Sequence, residues 1–194
     1  MRLTWALKRK RYPVGKIGKY KAHFCVRGDK EVYDVDFDET YVPMVQWSTV
    51  RMLFILALSL GLKTCQVDYS NAFVQAGIDE EVYFDLPLNF FGPSSEAYIL
   101  TLKKSLYGLR QAPRLWFKTL EKSLHDLGFK LSDNDACLLM KKGLVALVYV
   151  DDVLFFVTSD KLIDKVISDL KKNFELSKEG TVDAFLGVDI SDHN

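Results

Sequence analysis

Asp151 and Asp152 stand side by side in a run that is otherwise apolar, with Leu144-Val-Ala-Leu-Val148 before them and Val153-Leu-Phe-Phe-Val157 after. Adjacent carboxylates repel, and burying them is costly unless they are compensated. Neighbours in a regular strand point to opposite faces, whereas a tight turn can bring both to one rim. A divalent cation would relieve the repulsion, and Mg²⁺ prefers carboxylate oxygens together with water and phosphate. A plain solvated Asp-Asp turn is the alternative. Asp68 is a third acid, ending the short strand pattern Lys63–Asp68. If that strand lies beside the hairpin, three carboxylates converge. Such a cluster can hold two metal ions about 3.5–4 Å apart. That is the equipment of in-line phosphoryl transfer, in which positioning and charge neutralisation supply most of the catalysis.

The elements that must position these acids follow from periodicity. Tyr20 to Arg27 alternates partly and predicts a strand. Residues 48–60 predict a buried helix, with Ser48 as N-cap and Gly61 just past the end. In Lys63–Asp68, Thr64, Gln66 and Asp68 share one parity and Cys65 and Val67 the other. Val82–Phe84 and Tyr98–Leu102 predict further strands. A helix starts near Pro113 and runs to about Leu127, with Trp116, Leu120, Leu124 and Leu127 on one stripe and Gly128 as the stop. Tyr149-Val-Asp-Asp152 is the turn of a hairpin between two apolar strands. Residues 160–173 predict an amphipathic helix, and Ala184 to Ile190 a final strand. The fold class is α+β: an antiparallel sheet with helices packed on it.

The chain has 194 residues, 26 Lys+Arg against 26 Asp+Glu, 48% apolar and 27% charged residues. These are globular proportions, enough for one domain or two small lobes. Cys25, Cys65 and Cys137 make neither a disulfide framework nor a CxxC metal pattern, which fits an intracellular setting. Charge precedes any apolar run at the N-terminus, so no secretory signal is expected, and no apolar stretch approaches a membrane span. His23, His125 and His193 show no ligand spacing. Zero net charge hides an asymmetry: residues 1–30 carry ten bases and one acid, and residues 103–122 six bases and one acid. Tyr98, Tyr107, Trp116 and Phe117 lie in and around the second stretch. Basic stretches with interleaved aromatics suit a nucleic-acid backbone and its bases; solvated faces are the bland alternative.

Several motifs in order carry a resemblance over about residues 5–190. Tyr149-Val-Asp-Asp152 resembles the catalytic turn of reverse transcriptases. Asp38-Glu-Thr-Tyr-Val-Pro-Met-Val-Gln-Trp47, Gln66-Val-Asp-Tyr-Ser-Asn-Ala-Phe-Val-Gln75 and Lys104-Ser-Leu-Tyr-Gly-Leu-Arg-Gln-Ala-Pro-Arg-Leu-Trp116 resemble signatures of the copia-type LTR retrotransposon polyprotein. The resemblance implies a right-hand polymerase whose fingers and palm interleave, with 1–60 and 80–115 mostly fingers and 61–79 and 116–190 mostly palm. It implies an RNA-directed DNA polymerase that adds deoxynucleotides to a primer 3′-hydroxyl with two Mg²⁺ ions, Mn²⁺ substituting. By resemblance, Asp68, Asp151 and Asp152 are the metal-binding catalytic carboxylates, and Tyr149 lies under the primer terminus. Phe73, five positions after Asp68, resembles the bulky gate that leaves no room for a 2′-hydroxyl; a core Phe is the alternative. Tyr69 would bring its backbone to the triphosphate, or simply pack.

Tyr107, Gly108 and Gln111 resemble the loop and helix start against the nascent base pair, with Gly108 permitting close backbone approach. Lys21 and Arg27 resemble the cations that grip triphosphate and template. The family pattern often has Arg where this chain has His23, a weaker phosphate ligand when neutral. Lys178 resembles the lysine that protonates pyrophosphate, although a surface Lys in a turn needs no explanation. Phe185 and Gly187 resemble the start of the primer grip, with a core strand as the equal alternative. Implied partners are an RNA or DNA template with primer, deoxynucleoside triphosphates, and a thumb and RNase H portion of the polyprotein. Thumb, RNase H and integrase segments are not visible in these 194 residues. The expected location is intracellular, in a cytoplasmic virus-like particle or the nucleus. A truncated remnant that retains only nucleic-acid binding is the rival reading, and a template-independent palm-fold nucleotidyl cyclase is a third.

Overall fold

A computed structural model describes residues 3–12, 15–85, 99–180, 182, 184–186 and 188–190. They fall into two compact units, residues 1–41 with 73–116, and residues 42–72 with 117–194. Residues 42–60 therefore group with the second unit, apart from residues 1–41.

In the first unit, β1 (Leu3–Arg11) and β2 (Ile17–Val26) form an antiparallel ribbon. β1 has no sequence forecast, because its Lys and Arg residues obscure the alternation. Period 2 gives the ribbon two unlike faces. Lys8 lies opposite Lys21 and Lys10 opposite Lys19 on one face; Trp5 lies opposite Phe24, and Arg9 opposite Tyr20, on the other. The Trp5 and Phe24 rings stand 4.9 Å apart. β4 (Tyr83–Asp85) pairs with β5 (Ile99–Thr101), while Tyr98 lies outside the described residues. Val26, Val82, Leu109 and Ala112 form the unit's core, with Phe73 and Leu106 packed against it.

In the second unit, β3 (Lys63–Tyr69), β6 (Lys130–Leu131), β7 (Leu138–Lys141), β8 (Leu144–Tyr149), β9 (Asp152–Val157) and β10 (Leu176–Gly180) make one antiparallel sheet in the order β10-β3-β9-β8-β7-β6. One face carries Leu138, Leu147, Leu154 and Phe156. On it packs α1 (Trp47–Leu60) through Val50, Leu53 and Ala57. This packing is why residues 42–60 belong with the sheet. The opposite face carries Phe155, whose ring lies 6.2 Å from that of Phe129. α2 (Ala112–Asp126) buries Trp116, Leu120 and Leu124 completely and stops at Gly128, as its stripe predicts. α3 (Asp160–Leu170) packs against β9.

Several expectations are corrected. Gln46 holds the N-cap position of α1 without a side-chain capping bond, and Ser48 already lies inside the first turn. The helix is buried on one face alone: Met52, Ile55, Leu58 and Leu60 are 46%, 63%, 77% and 67% exposed. An all-round apolar helix reads as fully buried, yet it meets the sheet on one side, through Val50, Leu53, Phe54 and Ala57. α3 ends at Leu170, and residues 171–173 form a turn. The forecast strand 184–190 is instead a small hairpin, β11 (Ala184–Phe185) and β12 (Val188–Asp189), broken at Leu186 with φ 53°. Leu176–Gly180, read as a turn, is the edge strand β10.

Leu154 is completely buried in the core under α1, whereas Leu58 is 77% exposed. Leu154→Ala is expected to lower the unfolding free energy by about 2–5 kcal/mol, and Leu58→Ala by about 0.5 kcal/mol or less, both read from urea denaturation midpoints.

Candidate active site

The β8–β9 hairpin pairs Tyr149 with Asp152 and turns through Val150 and Asp151. Val150 sits at φ 52°, a left-handed conformation that strains a β-branched residue. On the other side of β9, Asp152 is the register partner of Asp68 in β3. Opposed residues of an antiparallel pair share a face, so both carboxylates start from the same side of the sheet, beside the turn that carries Asp151. The Asp151 carbonyl accepts the Tyr69 N–H at 3.3 Å, tying the turn to the end of β3.

Neighbours hold the side chains. The Ser177 hydroxyl donates to Asp68 Oδ2 at 2.7 Å and reaches the Asp68 carbonyl at 3.2 Å. Gln66 Nε2 donates to Asp152 Oδ1 at 3.1 Å. Among the described residues, no three or more His, Cys, Asp or Glu side chains gather as a set that could hold a metal ion. The register sets Asp68 opposite Asp152 with Asp151 in the adjoining turn, and the Ser177 and Gln66 hydrogen bonds fix two of the three carboxylates. The donor chemistry still suits a hard divalent cation: carboxylate oxygens on neighbouring strands, with a third acid at the adjoining turn.

Tyr149 is half-buried in the cluster under α1, its ring 6.3 Å from that of Phe185, which is itself buried. Tyr69 is also buried, edge-on to Phe174 at 5.4 Å, and burial pushes its hydroxyl pKa up. The backbone of Lys178 pairs with Asp68 across β10 and β3. Gly187 lies outside the described residues.

The first unit has its own constellation. Lys21 is exposed on the ribbon's lysine face. Arg27 donates from Nε and Nη2 to Asp29 at 2.9 and 2.6 Å, holding that exposed carboxyl down at about 2. The Tyr107 ring lies 4.8 Å from Phe73 and 4.9 Å from His23. Partial burial and the nearby Lys21 charge lower the His23 pKa, so this ring favours its neutral form. Gly108 has φ 96°, and a Cβ there would lie 2.1 Å from the Val26 carbonyl oxygen; a Cβ on Gly28 would lie 1.9 Å from the Gly108 carbonyl oxygen. The close approach forecast for Gly108 is therefore already made with its own chain. Gln111 is 1% exposed and donates to the Asp36 carbonyl at 2.9 Å, so its amide is not presented to an incoming ligand.

A family model described as reverse transcriptase (RNA-dependent DNA polymerase) matches residues 1–194. The chain belongs to that family. It is 32% identical over 195 residues to the Retrovirus-related Pol polyprotein from transposon TNT 1-94 of Nicotiana tabacum, covering 98% of this chain and 15% of the relative. It is 30% identical to the polyprotein from transposon RE1 of Arabidopsis thaliana, covering 95% of this chain and 13% of the relative. A further relative, 31% identical over 81% of this chain and 9% of its own length, is the Transposon Ty1-H Gag-Pol polyprotein of Saccharomyces cerevisiae. The chain therefore spans about a seventh or less of these relatives. The copia-type resemblance read from the motifs stands. Among the described residues no helix is long and apolar enough to cross a membrane.

Four residues of this reverse transcriptase chain escaped the sequence reading: Gly28, Glu31, Gln66 and Ser177. Gln66 is one position before Val67 in a motif already quoted, yet nothing in its spacing announces a bond to Asp152. Gly28 is legible only as a glycine, since its constraint comes from Gly108, 80 positions away. Gly28→Ala is expected to destabilise the chain by about 1–3 kcal/mol through overpacking. Gly77→Ala, where a Cβ meets nothing within 4 Å, serves as the tolerated control. Thermal melts of the two variants check the contrast.

Proposed function

We propose that this chain is the polymerising module of a retrotransposon, an RNA-directed DNA polymerase that also copies DNA. The observation that carries the reading is the opposition of Asp68 and Asp152 beside the Asp151 turn. In the proposed reaction the primer 3′-oxygen attacks the α-phosphorus of a deoxynucleoside triphosphate, a phosphodiester bond forms, and pyrophosphate leaves. Asp68, Asp151 and Asp152 are proposed to hold two Mg²⁺ ions, or Mn²⁺ in their place. When bound, these would supply charge neutralisation at the hydroxyl and the leaving group. Ser177 and Gln66 orient the first and last of those acids.

Lys21 and Arg27 are assigned to phosphate oxygens, with Arg27 first giving up Asp29. Phe73, backed by Tyr107, is assigned to exclusion of a 2′-hydroxyl. The Tyr69 and Gly108 backbones are assigned to the nucleotide. Buried Gln111 would act by holding Asp36 in place. Tyr149, Phe185 and Gly187 are assigned to the primer and Lys178 to pyrophosphate. In this reading 1–60 and 80–115 are mostly fingers, 61–79 and 116–190 mostly palm. The proposed setting is intracellular, with template, primer and the rest of the polyprotein as partners.

The lysine face of the ribbon supports a polyanionic substrate. Cross-strand like charges cost stability, and among the described residues none of Lys8, Lys10, Lys19 and Lys21 is in an ion pair. Replacing Lys8, Lys10 and Lys19 together with Ala is expected to weaken binding of a single-stranded oligonucleotide. The log–log salt slope should become shallower by about 2, at roughly 0.7 for each phosphate that is no longer neutralised. Fluorescence anisotropy across a salt series reads this directly.

Primer extension on poly(rA)/oligo(dT) with Mg²⁺ or Mn²⁺ tests the chemistry. Asp151→Asn is expected to reduce extension at least about 100-fold, the scale on which transition-state charge stabilisation is lost, with duplex binding kept. A folded, duplex-binding chain that never extends primer leaves the binding-remnant reading instead. Template-independent turnover would point to a cyclase.

A further inference from the structure

We propose that Glu31 is a positioning residue for nucleotide addition: its carboxylate, by accepting the Arg110 N–H, fixes the 107–111 loop that carries Tyr107 and Gly108. The bond is 2.8 Å long, from Arg110 N to Glu31 Oε2, and Glu31 is 7% exposed. It acts beside three further hydrogen bonds between residues 26–36 and this loop. The Val26 N–H donates to the Tyr107 carbonyl at 2.8 Å, Arg110 Nε to the Gly28 carbonyl at 2.8 Å, and Gln111 Nε2 to the Asp36 carbonyl at 2.9 Å. The other three accept at backbone carbonyls, which the chain supplies at any residue. Glu31 alone accepts with its side chain, so only this link can be removed by substitution at the acceptor.

The carboxylate meets this loop as a hydrogen-bond acceptor for a backbone N–H. The Arg110 guanidinium turns to the Gly28 carbonyl and lies over the Phe37 ring at 5.4 Å, and no ion pair with Glu31 forms. Gln111 Oε1 is buried with no hydrogen-bond partner, and Glu31 Oε1 lacks a well-aligned donor, although the Gln111 side chain lies near enough to offset part of the effect of burial on the carboxyl. Buried acceptor oxygens without good donors are costly. A carboxamide at position 31 keeps the acceptor for Arg110 N–H and brings two N–H donors to that place. Burial raises the Glu31 pKa, in line with a site that tolerates the charge poorly.

The test compares Glu31→Ala, Glu31→Gln and Arg110→Ala in the 194-residue chain. Amide hydrogen exchange at residue 110 is the primary readout; only the kinetic readout rests on the polymerase reading. Glu31→Ala is expected to speed that exchange and to raise the deoxynucleotide KM at least about tenfold, one buried hydrogen bond's equivalent, with kcat changed far less. Glu31→Gln is expected to restore protection and KM to within about threefold of the parent and to melt at the same or a higher temperature. Arg110→Ala, which keeps the N–H donor, is expected to speed exchange less than Glu31→Ala. Unchanged exchange in Glu31→Ala, or Glu31→Gln as damaging as Glu31→Ala, overturns the proposal. If Glu31→Ala does not fold, the residue-110 protection of Glu31→Gln decides alone: parent-like protection supports the acceptor role and its disappearance refutes it. If the parent chain extends no primer, the exchange data still decide for or against the Glu31 link, while the polymerase reading fails separately.

Discussion

The pairing of β3 with β9 sets two acids against each other at the end of an apolar hairpin, and the sheet must hold that arrangement against their repulsion. The opposing terms are unequal. Like charges across a strand pair cost roughly 0.2–1 kcal/mol. Each fully buried Leu or Phe along the same strands contributes about 1.5–3 kcal/mol, and Leu147, Leu154 and Phe156 are all sealed under α1. A slip of one residue would send this whole set to the other face. Aliphatic packing thus keeps Asp68 and Asp152 opposed, and each acid has a hydrogen-bond donor on a neighbouring side chain.

The first unit solves a related problem with polar groups. Its 107–111 loop has no regular ladder, so backbone carbonyls and one buried carboxylate satisfy it. The glycine pair at 28 and 108 lets the two segments approach to a separation that no side chain allows. Arg114 adds a second layer, donating to Glu39 at 2.9 Å and lying 3.7 Å from Asp79. Within residues 31–40, Glu31, Asp36 and Glu39 thus have local amide or cation partners.

Much of this was legible in the chain itself, where a periodic pattern or a turn signal coincided with burial. Trp116, Leu120 and Leu124 announced α2, and the apolar runs around Asp151 announced β8 and β9. Signals failed where composition hid periodicity. The lysines of β1 look like a solvated run, and the edge strand at Leu176–Gly180 looks like a turn because Ser177, Lys178 and Gly180 are weak strand formers. α1 reads as buried on all sides because apolar residues surround it, although only one stripe meets the sheet. In the candidate site, the opposition of Asp68 and Asp152 could be guessed from strand ends. The bonds from Ser177, 109 positions away, and from Gln66 to Asp152, 86 away, depend on register that local pattern does not encode.

The lysine pairs of the ribbon have one more consequence. Mobile ions shorten the reach of each ammonium group, so a concentrated electrolyte weakens the repulsion of Lys8 from Lys21 and of Lys10 from Lys19. The same electrolyte competes for any anion the ribbon would hold. Strand pairing at this tip and any anion binding there would therefore respond in opposite directions to salt.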